Sequence, residues 1–326
     1  MIVESVLKIQ YNFIGFLSIM REIQQRKSLS SLTTFQIGGE AEYFLEVKTE
    51  DEIREALAWA REHDVPFTVL AGGSNVLIPD AGLKGLVIHM MSDNFAFTDK
   101  TLEADAGCNL LSLIRASAEQ ALGGWEKLAG IPGTIGGAAR GNAGAFGPEI
   151  KDFLVWARAI NTKTEEVHEF SNAECDFSYR NSFFKKNPEW IVTKVHIQLE
   201  KVDSVESKTA IEATIREREK RHIQNVRAAG SFFMNPIAPA HVVAMFEEEK
   251  KTESRGGRVP AGWLIEKAGM KGATVGGAES SPMHPNYLVN AHNAKSDQVL
   301  ELAAKIKSAV YAQFSISLEE EAVILR

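Results

Sequence analysis

LAGIPGTIGGAARGNAGAFG, residues 128–147, is the stretch on which the reading of this chain turns. Gly130, Gly133, Gly136, Gly137, Gly141, Gly144 and Gly147 recur every few residues with almost no charge between them. That spacing argues against a packed helix or strand and for a bare backbone rich in N–H donors. Glycine permits positive φ and lets main-chain N–H groups approach an anion closely, which is how loops cradle phosphates. An earlier run, LAGGSNVLI at residues 70–78, delivers an apolar strand into a second turn of the same kind. Neither run is a P-loop, because GxxxxGK[ST] is missing, and GGSN lacks the GxGxxG that opens a Rossmann unit. The two runs together are expected to wrap phosphate on another fold.

Composition sets the outer bounds. At 326 residues, 44% hydrophobic and 24% charged, the chain has the length for two or three water-soluble domains with ample cores. A net charge of -7 gives no general basic field, so nucleic acid and membrane are not expected partners. The segment Arg216 to Arg227 is locally basic and suited to a small anionic ligand. Cys108 and Cys175 are the only cysteines, with no CxxC spacing and no adjacent histidine cluster, so two buried reduced thiols and no metal are expected. Residues 1–20 are apolar around Phe13 to Met20, but carry Glu4 and lack a basic start and a small-residue cleavage site. They read as an amino-terminal extension rather than an export signal or span, and a cytoplasmic location is expected.

Helical and strand patterns alternate in mixed order along the chain. A capping box, Thr49 to Glu52, opens a helix with the stripe Ile53, Ala56, Leu57 and Ala60, between strands Phe44 to Val47 and Phe67 to Leu70. The second strand feeds the turn Ala71 to Asn75. A helix from Leu110 to Leu122 is expected to stop at Gly123 and Gly124. Strands Leu154 to Ile160 and Glu166 to Phe170 fold around Asn161 to Thr164, and Ile191, Val195, Ile197 and Leu199 mark another. The charged run Val202 to Arg221 reads as a linker or exposed helix at a domain boundary. A compact block, Gly230 to Asn290, follows, with Glu247 to Arg258 as a surface excursion. From Ser296 an amphipathic helix buries Val299, Leu302, Ala303, Ile306 and Val310.

Seven blocks, in order, carry a resemblance: TTFQIGGEAEYFLEV (33–47), LAGGSNVLI, LAGIPGTIGGAARGNAGAFG, YRNSFFK (179–185), AAGSFFMNP (228–236), AGWLIEKAGMKG (261–272) and SPMHPNYLVN (281–290). Together they closely resemble the UDP-N-acetylenolpyruvoylglucosamine reductase family over about residues 21–326. The resemblance implies an α+β fold: an FAD-binding region of two α/β subdomains, of the vanillyl-alcohol-oxidase-like type, at residues 21–203 with a split near 95. A carboxy-terminal α/β substrate domain at 204–326 would follow. The short spacing between Leu199 and Lys220 is similar to the shorter type, which lacks an additional substrate-covering loop. The implied activity is FAD-dependent reduction by NADPH of UDP-N-acetylglucosamine enolpyruvate to UDP-N-acetylmuramate, a peptidoglycan precursor. Implied partners are the UDP-sugar and NADPH, with FAD noncovalent, since no histidine or cysteine stands in the first glycine turn, and with the chain a monomer.

The residues that match the family pattern take expected roles. Ser231 matches the proton donor, although a serine between glycine and phenylalanine is ordinarily a turn or cap residue. Arg180 matches the arginine that grips the substrate carboxylate; its planar fork suits that task. The terminal pattern Leu318, Glu319, Glu320, Glu321, Ala322 lacks the family's proline and puts the catalytic carboxylate at Glu321, with Glu319 the alternative one period-two step away. For FAD the resemblance implies backbone contacts from Gly72, Gly73, Ser74 and Asn75 and from Ile131, Pro132, Gly133, Thr134, Gly137, Ala138, Asn142 and Gly144, with Ile191 or Val192 near the flavin. Tyr179, Lys220, Arg227 and Asn235 are the expected substrate contacts, with Arg221 adding local charge. Met234 stands where many relatives carry lysine, which moves weight onto Asn235. Two other readings stay open on the residues alone: an FAD-dependent alcohol oxidase of the same flavin fold, and a noncatalytic nucleotide-sugar binding protein.

Overall fold

Thr49 starts the first long helix, Glu50–Glu62, by accepting the Glu52 N–H at 3.2 Å, while the Glu52 carboxylate reaches back to the Lys48 N–H at 2.5 Å. Glu50, Asp51 and Glu52 place negative charge at the positive helix end. The expected stripe is buried, with Trp59 added to it. These positions belong to a computed structural model that describes residues 23–220 and 226–326; the 1–20 extension and Arg221 lie outside the described residues.

The stripe packs with a four-stranded sheet ordered Gln24–Ser28, Glu40–Val47, Leu83–Met90, Phe67–Leu70. Leu83–Met90 runs parallel to both of its neighbours, and all but Lys84 of its residues are buried. A central parallel strand covered on both faces reads as a continuous apolar run, not an alternation.

A second sheet of five strands is antiparallel throughout, ordered Val167–Ser171, Leu154–Asn161, Trp190–Gln198, Thr101–Asp105, Phe95–Thr98. The expected hairpin is present, in register from Val167 opposite Ile160 to Ser171 opposite Trp156. Its turn is tied by the Asn161 side chain, which accepts the Lys163 and Thr164 N–H groups at 2.9 and 3.1 Å. Ala157, Ala159, Val195, Ile197, Leu102 and Ala104 share a core with the helices Leu110–Glu119 and Ile135–Gly141. Cys108 and Cys175 are free and buried in it, and burial pushes their thiols up to about 11 and about 12.

Two expectations change here. The helix from Leu110 ends at Glu119, before Gly123, because Leu122–Gly123 pairs instead with Glu200–Lys201. The glycine run is not all loop either: Ile135–Gly141 is helical, with Ile135, Gly136, Ala138 and Ala139 buried. Its glycine serves close packing, since a β-carbon on Gly136 would sit 2.5 Å from Ala106 Cβ and 2.9 Å from the Ala106 carbonyl oxygen.

By its internal contacts the chain divides into two units. The sheets above lie in the first, which runs up to Lys27, through Ala41–Gly72 and through Leu83–Arg216. The second comprises Ser28–Glu40, Gly73–Gly82 and Glu217–Arg326. This division differs from a single cut at 203: two early segments join the second unit, and most of the helix Ser204–Lys220 joins the first, with Ile211 in its core.

The second unit is built on the helix Ser296–Phe314, whose expected stripe is buried with Phe232, Phe233, Val242, Leu264 and Ile265. Asp80 accepts both the Ser296 N–H (2.6 Å) and its hydroxyl (2.7 Å), which places a carboxylate at that helix start. Val323–Ile324 pairs parallel with Val76–Leu77. The expected excursion Glu247 to Arg258 is more ordered than its charge suggests. Glu247 to Lys250 complete the helix Ala240–Lys250, whose Phe246 packs edge-on against Trp263, and the Arg258 guanidinium donates to the Asn235 carbonyl at 2.7 Å.

Candidate functional site

In the first unit the two glycine runs meet. A β-carbon on Gly72 would lie 2.8 Å from Gly133 Cα and 3.3 Å from Thr134 N, so side chains are excluded from that junction. Gly133 takes φ +114, open only to glycine in practice. Thr134 then caps the short helix by accepting the Gly137 N–H at 3.3 Å. Gly137 is exposed, and a β-carbon there would meet only Thr134 Oγ1, at 3.5 Å. Pro132 is exposed and Ile131 half-buried beside them. A glycine-walled cradle of this kind fits the diphosphate of a dinucleotide, whose oxygens seek backbone N–H groups. Ala138 and Val192 are core residues behind it.

Asn142, one of the expected flavin contacts, is 0% exposed. Its amide donates to the Ser178 carbonyl and to Glu149 Oε2, both at 3.0 Å, and accepts the Lys151 N–H at 3.1 Å. It therefore ties the end of the glycine helix to the loop that carries Arg180.

That loop is tightly held. Arg180 has φ +55, a conformation that costs a non-glycine residue about 1–2 kcal/mol. Ser178 and Asn181 exchange backbone hydrogen bonds of 3.1 Å around it, and Lys185 Nζ donates to the Arg180 carbonyl at 2.9 Å. The guanidinium donates from Nη2 to the Gly144 carbonyl at 2.8 Å and lies 5.1 Å from the centroid of the Tyr179 ring. Gly144 is itself fixed in type, since a β-carbon would lie 2.7 Å from Glu149 Cγ and 2.8 Å from the Pro148 carbonyl oxygen. The structure thus brings Tyr179, Arg180 and Gly144 together.

In the second unit Gly73, at φ +57, passes the Leu32 carbonyl so closely that no β-carbon fits. Thr34 fastens this turn, its N–H donating to the Gly73 carbonyl at 3.1 Å and its hydroxyl to the Ser74 carbonyl at 3.4 Å. The side chain of Asn75 turns to the carboxy-terminal segment, donating to the Glu321 carbonyl at 3.1 Å.

The same unit brings Ser231 and Glu321 onto adjacent chain segments. Phe233 bridges Glu320 antiparallel, Met234 N–H donates to the Glu319 carbonyl at 2.9 Å, and Glu321 N–H donates to the Phe232 carbonyl at 2.8 Å. Ser231 is half-buried and caps no helix, the next beginning at Ala240. Of the three carboxylates, Glu320 pairs with Lys307 at 3.0 Å, Glu319 is exposed and Glu321 is half-buried. Asn235 Oδ1 accepts the Ala261 N–H at 2.9 Å, and Arg227 donates to the Ala291 carbonyl at 3.1 Å. Lys220 is exposed at the end of its helix.

Asn286 carries no expected role, although its block was conspicuous in the sequence. It is 2% exposed and grips the residues after Ser231: its carbonyl accepts the Phe232 N–H at 2.7 Å, its Oδ1 the Phe233 N–H at 3.0 Å, and its Nδ2 donates to the Phe233 carbonyl at 2.8 Å. Among the described residues no group of three or more His, Cys, Asp or Glu could hold a metal, and no helix is long and apolar enough to cross a membrane.

Residues 41–171, which contain the glycine cradle, match the family model for an FAD binding domain and put the chain in a flavin-binding class. Residues 221–325 match the C-terminal domain of UDP-N-acetylenolpyruvoylglucosamine reductase. Curated relatives with that enzyme name include one from Solibacter usitatus, 33% identical over 90% of this chain and 93% of the relative. Another, from Synechococcus sp., is 35% identical over 93% of this chain and 91% of its own length. The crystal structure of the enzyme from Thermus caldophilus covers 94% of this chain and 98% of its own at TM-score 0.73 and 30% identity. The chain belongs to the UDP-N-acetylenolpyruvoylglucosamine reductase family.

Proposed function

We propose that this chain reduces the enolpyruvyl ether of UDP-N-acetylglucosamine enolpyruvate with NADPH and FAD, giving UDP-N-acetylmuramate for peptidoglycan synthesis. The pairing of the Ser231 segment with the Glu321 segment, inside the region that matches the reductase C-terminal domain, is the observation that carries the reading. FAD, when bound, supplies the hydride drawn from NADPH. The exposed backbone of Gly137 and the Gly72–Gly133 junction would hold its diphosphate.

The chain's own residues have the remaining work. Ser231 donates the proton to the carbon bearing the carboxylate. A hydroxyl is a weak acid, so it serves only a strongly basic, carbanion-like centre and only from a fixed position. Arg180 holds the carboxylate and the enolate charge that develops beside it; its loop fixes the guanidinium before substrate arrives. Glu321 completes the catalytic set in this reading, with Glu319 the alternative; Glu320 is the carboxylate that pairs with Lys307. Tyr179, Lys220, Arg227 and Asn235 are the substrate contacts in this reading, and a cytoplasmic monomer completes it, NADPH and nucleotide sugars being cytoplasmic metabolites.

Purified protein should be yellow, bleach with NADPH without oxygen, and regain colour on addition of the enolpyruvyl substrate. Ser231→Ala should bleach normally and regain colour far more slowly. Recovery at the wild-type rate in that variant would remove Ser231 from the reaction.

A further inference from the structure

We infer that Asn286 is a positioning residue for proton transfer by Ser231, an assignment that rests on the proposed role of that serine. The hydroxyl must sit within hydrogen-bond reach of the accepting carbon, so the backbone that carries it must not drift. Ser231 stands between two contrasting neighbours. Gly230 precedes it at φ +71, and a β-carbon there would meet no protein atom within 4 Å. That side gives no steric support.

The other side is clamped. Phe232 donates to the Asn286 carbonyl, and the Phe233 peptide exchanges two hydrogen bonds with the Asn286 amide, at 3.0 and 2.8 Å. The opposite edge of the same segment is held by the Glu319 to Glu321 backbone. Asn286 therefore joins the Ser231 segment to the SPMHPNYLVN block, whose Asn290 is in turn anchored by donating to the Phe35 carbonyl at 3.2 Å and accepting the Ala294 N–H at 2.7 Å. An amide suits this task because at any ordinary pH it offers a donor and an acceptor side by side, matching the N–H and C=O of one residue.

Asn286→Asp tests the inference. The carboxyl that replaces the amide keeps the acceptor for the Phe233 N–H. When protonated it also donates to the Phe233 carbonyl, and when ionised it turns a second negative oxygen toward that carbonyl. In a site this buried, the neutral form extends to higher pH than for an exposed carboxyl. The step in which the enolpyruvyl substrate restores flavin colour should slow by at least about tenfold at about pH 8 and recover toward wild type at about pH 6. The NADPH bleaching rate should match wild type at both.

A substrate step equal to wild type at every pH, or an equal loss in both steps, would overturn the inference. Should Asn286→Asp fail to fold with flavin, Gly230→Ala decides the matter. It meets no atom and strains only the backbone, so it should slow the substrate step alone, and a wild-type rate there would overturn the inference. Ser231→Ala separates the two ideas: if it is impaired while Asn286→Asp is normal, only the positioning role falls, and if Ser231→Ala is normal the proposed chemistry falls first.

Discussion

The side-chain amide of Asn75 donates to the main-chain carbonyl of Glu321 at 3.1 Å, and the main-chain carbonyl of Asn75 accepts the Val323 N–H at 2.9 Å. The end of the first glycine turn thus fixes the carboxy-terminal segment that carries the candidate acid. The parallel pairing of Val76–Leu77 with Val323–Ile324 continues that attachment. A residue expected at the cofactor by its place in GGSN has its side chain engaged elsewhere.

Asn75→Ala should therefore keep most of its flavin and its NADPH-bleaching rate, while the substrate-driven step slows through a loosened Glu321. The flavin-to-protein absorbance ratio and the two half-reactions measured separately check this. Loss of flavin as the main effect would mean that the Asn75 side chain serves the cofactor instead.

Neighbouring glycines should fail in different ways. At Gly136 any side chain collides with Ala106, so Gly136→Val should yield unstable or insoluble protein. At Gly137 a β-carbon meets only Thr134 Oγ1 at 3.5 Å and valine has the higher helix propensity, so Gly137→Val should fold with its helix intact and bind FAD poorly. Circular dichroism and flavin content distinguish the pair. Full flavin occupancy in Gly137→Val would move the diphosphate away from this face.

Legibility in the sequence followed periodicity. The stripes from Ile53 and Val299 and the 154–170 hairpin were plain, because each buries one face and leaves the other wet. Leu83–Met90, central to its sheet, carried no alternation and left no such signal. The glycine helix escaped because glycine has low propensity, and only the tertiary contact with Ala106 shows why it is tolerated there. At the candidate site, Arg180 and Ser231 were singled out from their blocks, and their roles rest on the variants proposed for them. Asn142 and Asn286 were not legible in role, since a buried amide that satisfies distant backbone cannot be told from a ligand contact without the fold.

His89 gives the first unit a pH dependence. It is 8% exposed, and burial pushes its imidazole below the ordinary value of 6.5, against the pull of Glu46 Oε1 at 3.6 Å, a distance beyond hydrogen bonding. The folded state therefore holds it neutral where the unfolded chain already takes the proton. Its contribution to stability is present above about pH 6.5 and is lost as pH falls from there toward the lower folded value. His89→Gln should flatten the fall in Tm between about pH 7 and pH 5. Calorimetric scans of both proteins check it, and parallel acid losses would show that other groups set that limb.

Arg180→Lys isolates the guanidinium from its charge. The αL backbone at this position tolerates lysine no worse than arginine, and the ring of Tyr179 can still lie beneath the cation. What disappears is the fork, which in the wild type spends Nη2 on the Gly144 carbonyl at 2.8 Å and so fixes the plane of the guanidinium. A lysine ammonium keeps the attraction without that plane. The NADPH step should survive, and flavin reoxidation by the enolpyruvyl substrate should slow by one to several orders of magnitude, about 2–4 kcal/mol, the size expected for one oxyanion donor. Rapid-mixing measurements of the two half-reactions read the difference directly. Equal losses in both would mean that Arg180 serves folding or flavin binding rather than the enolate.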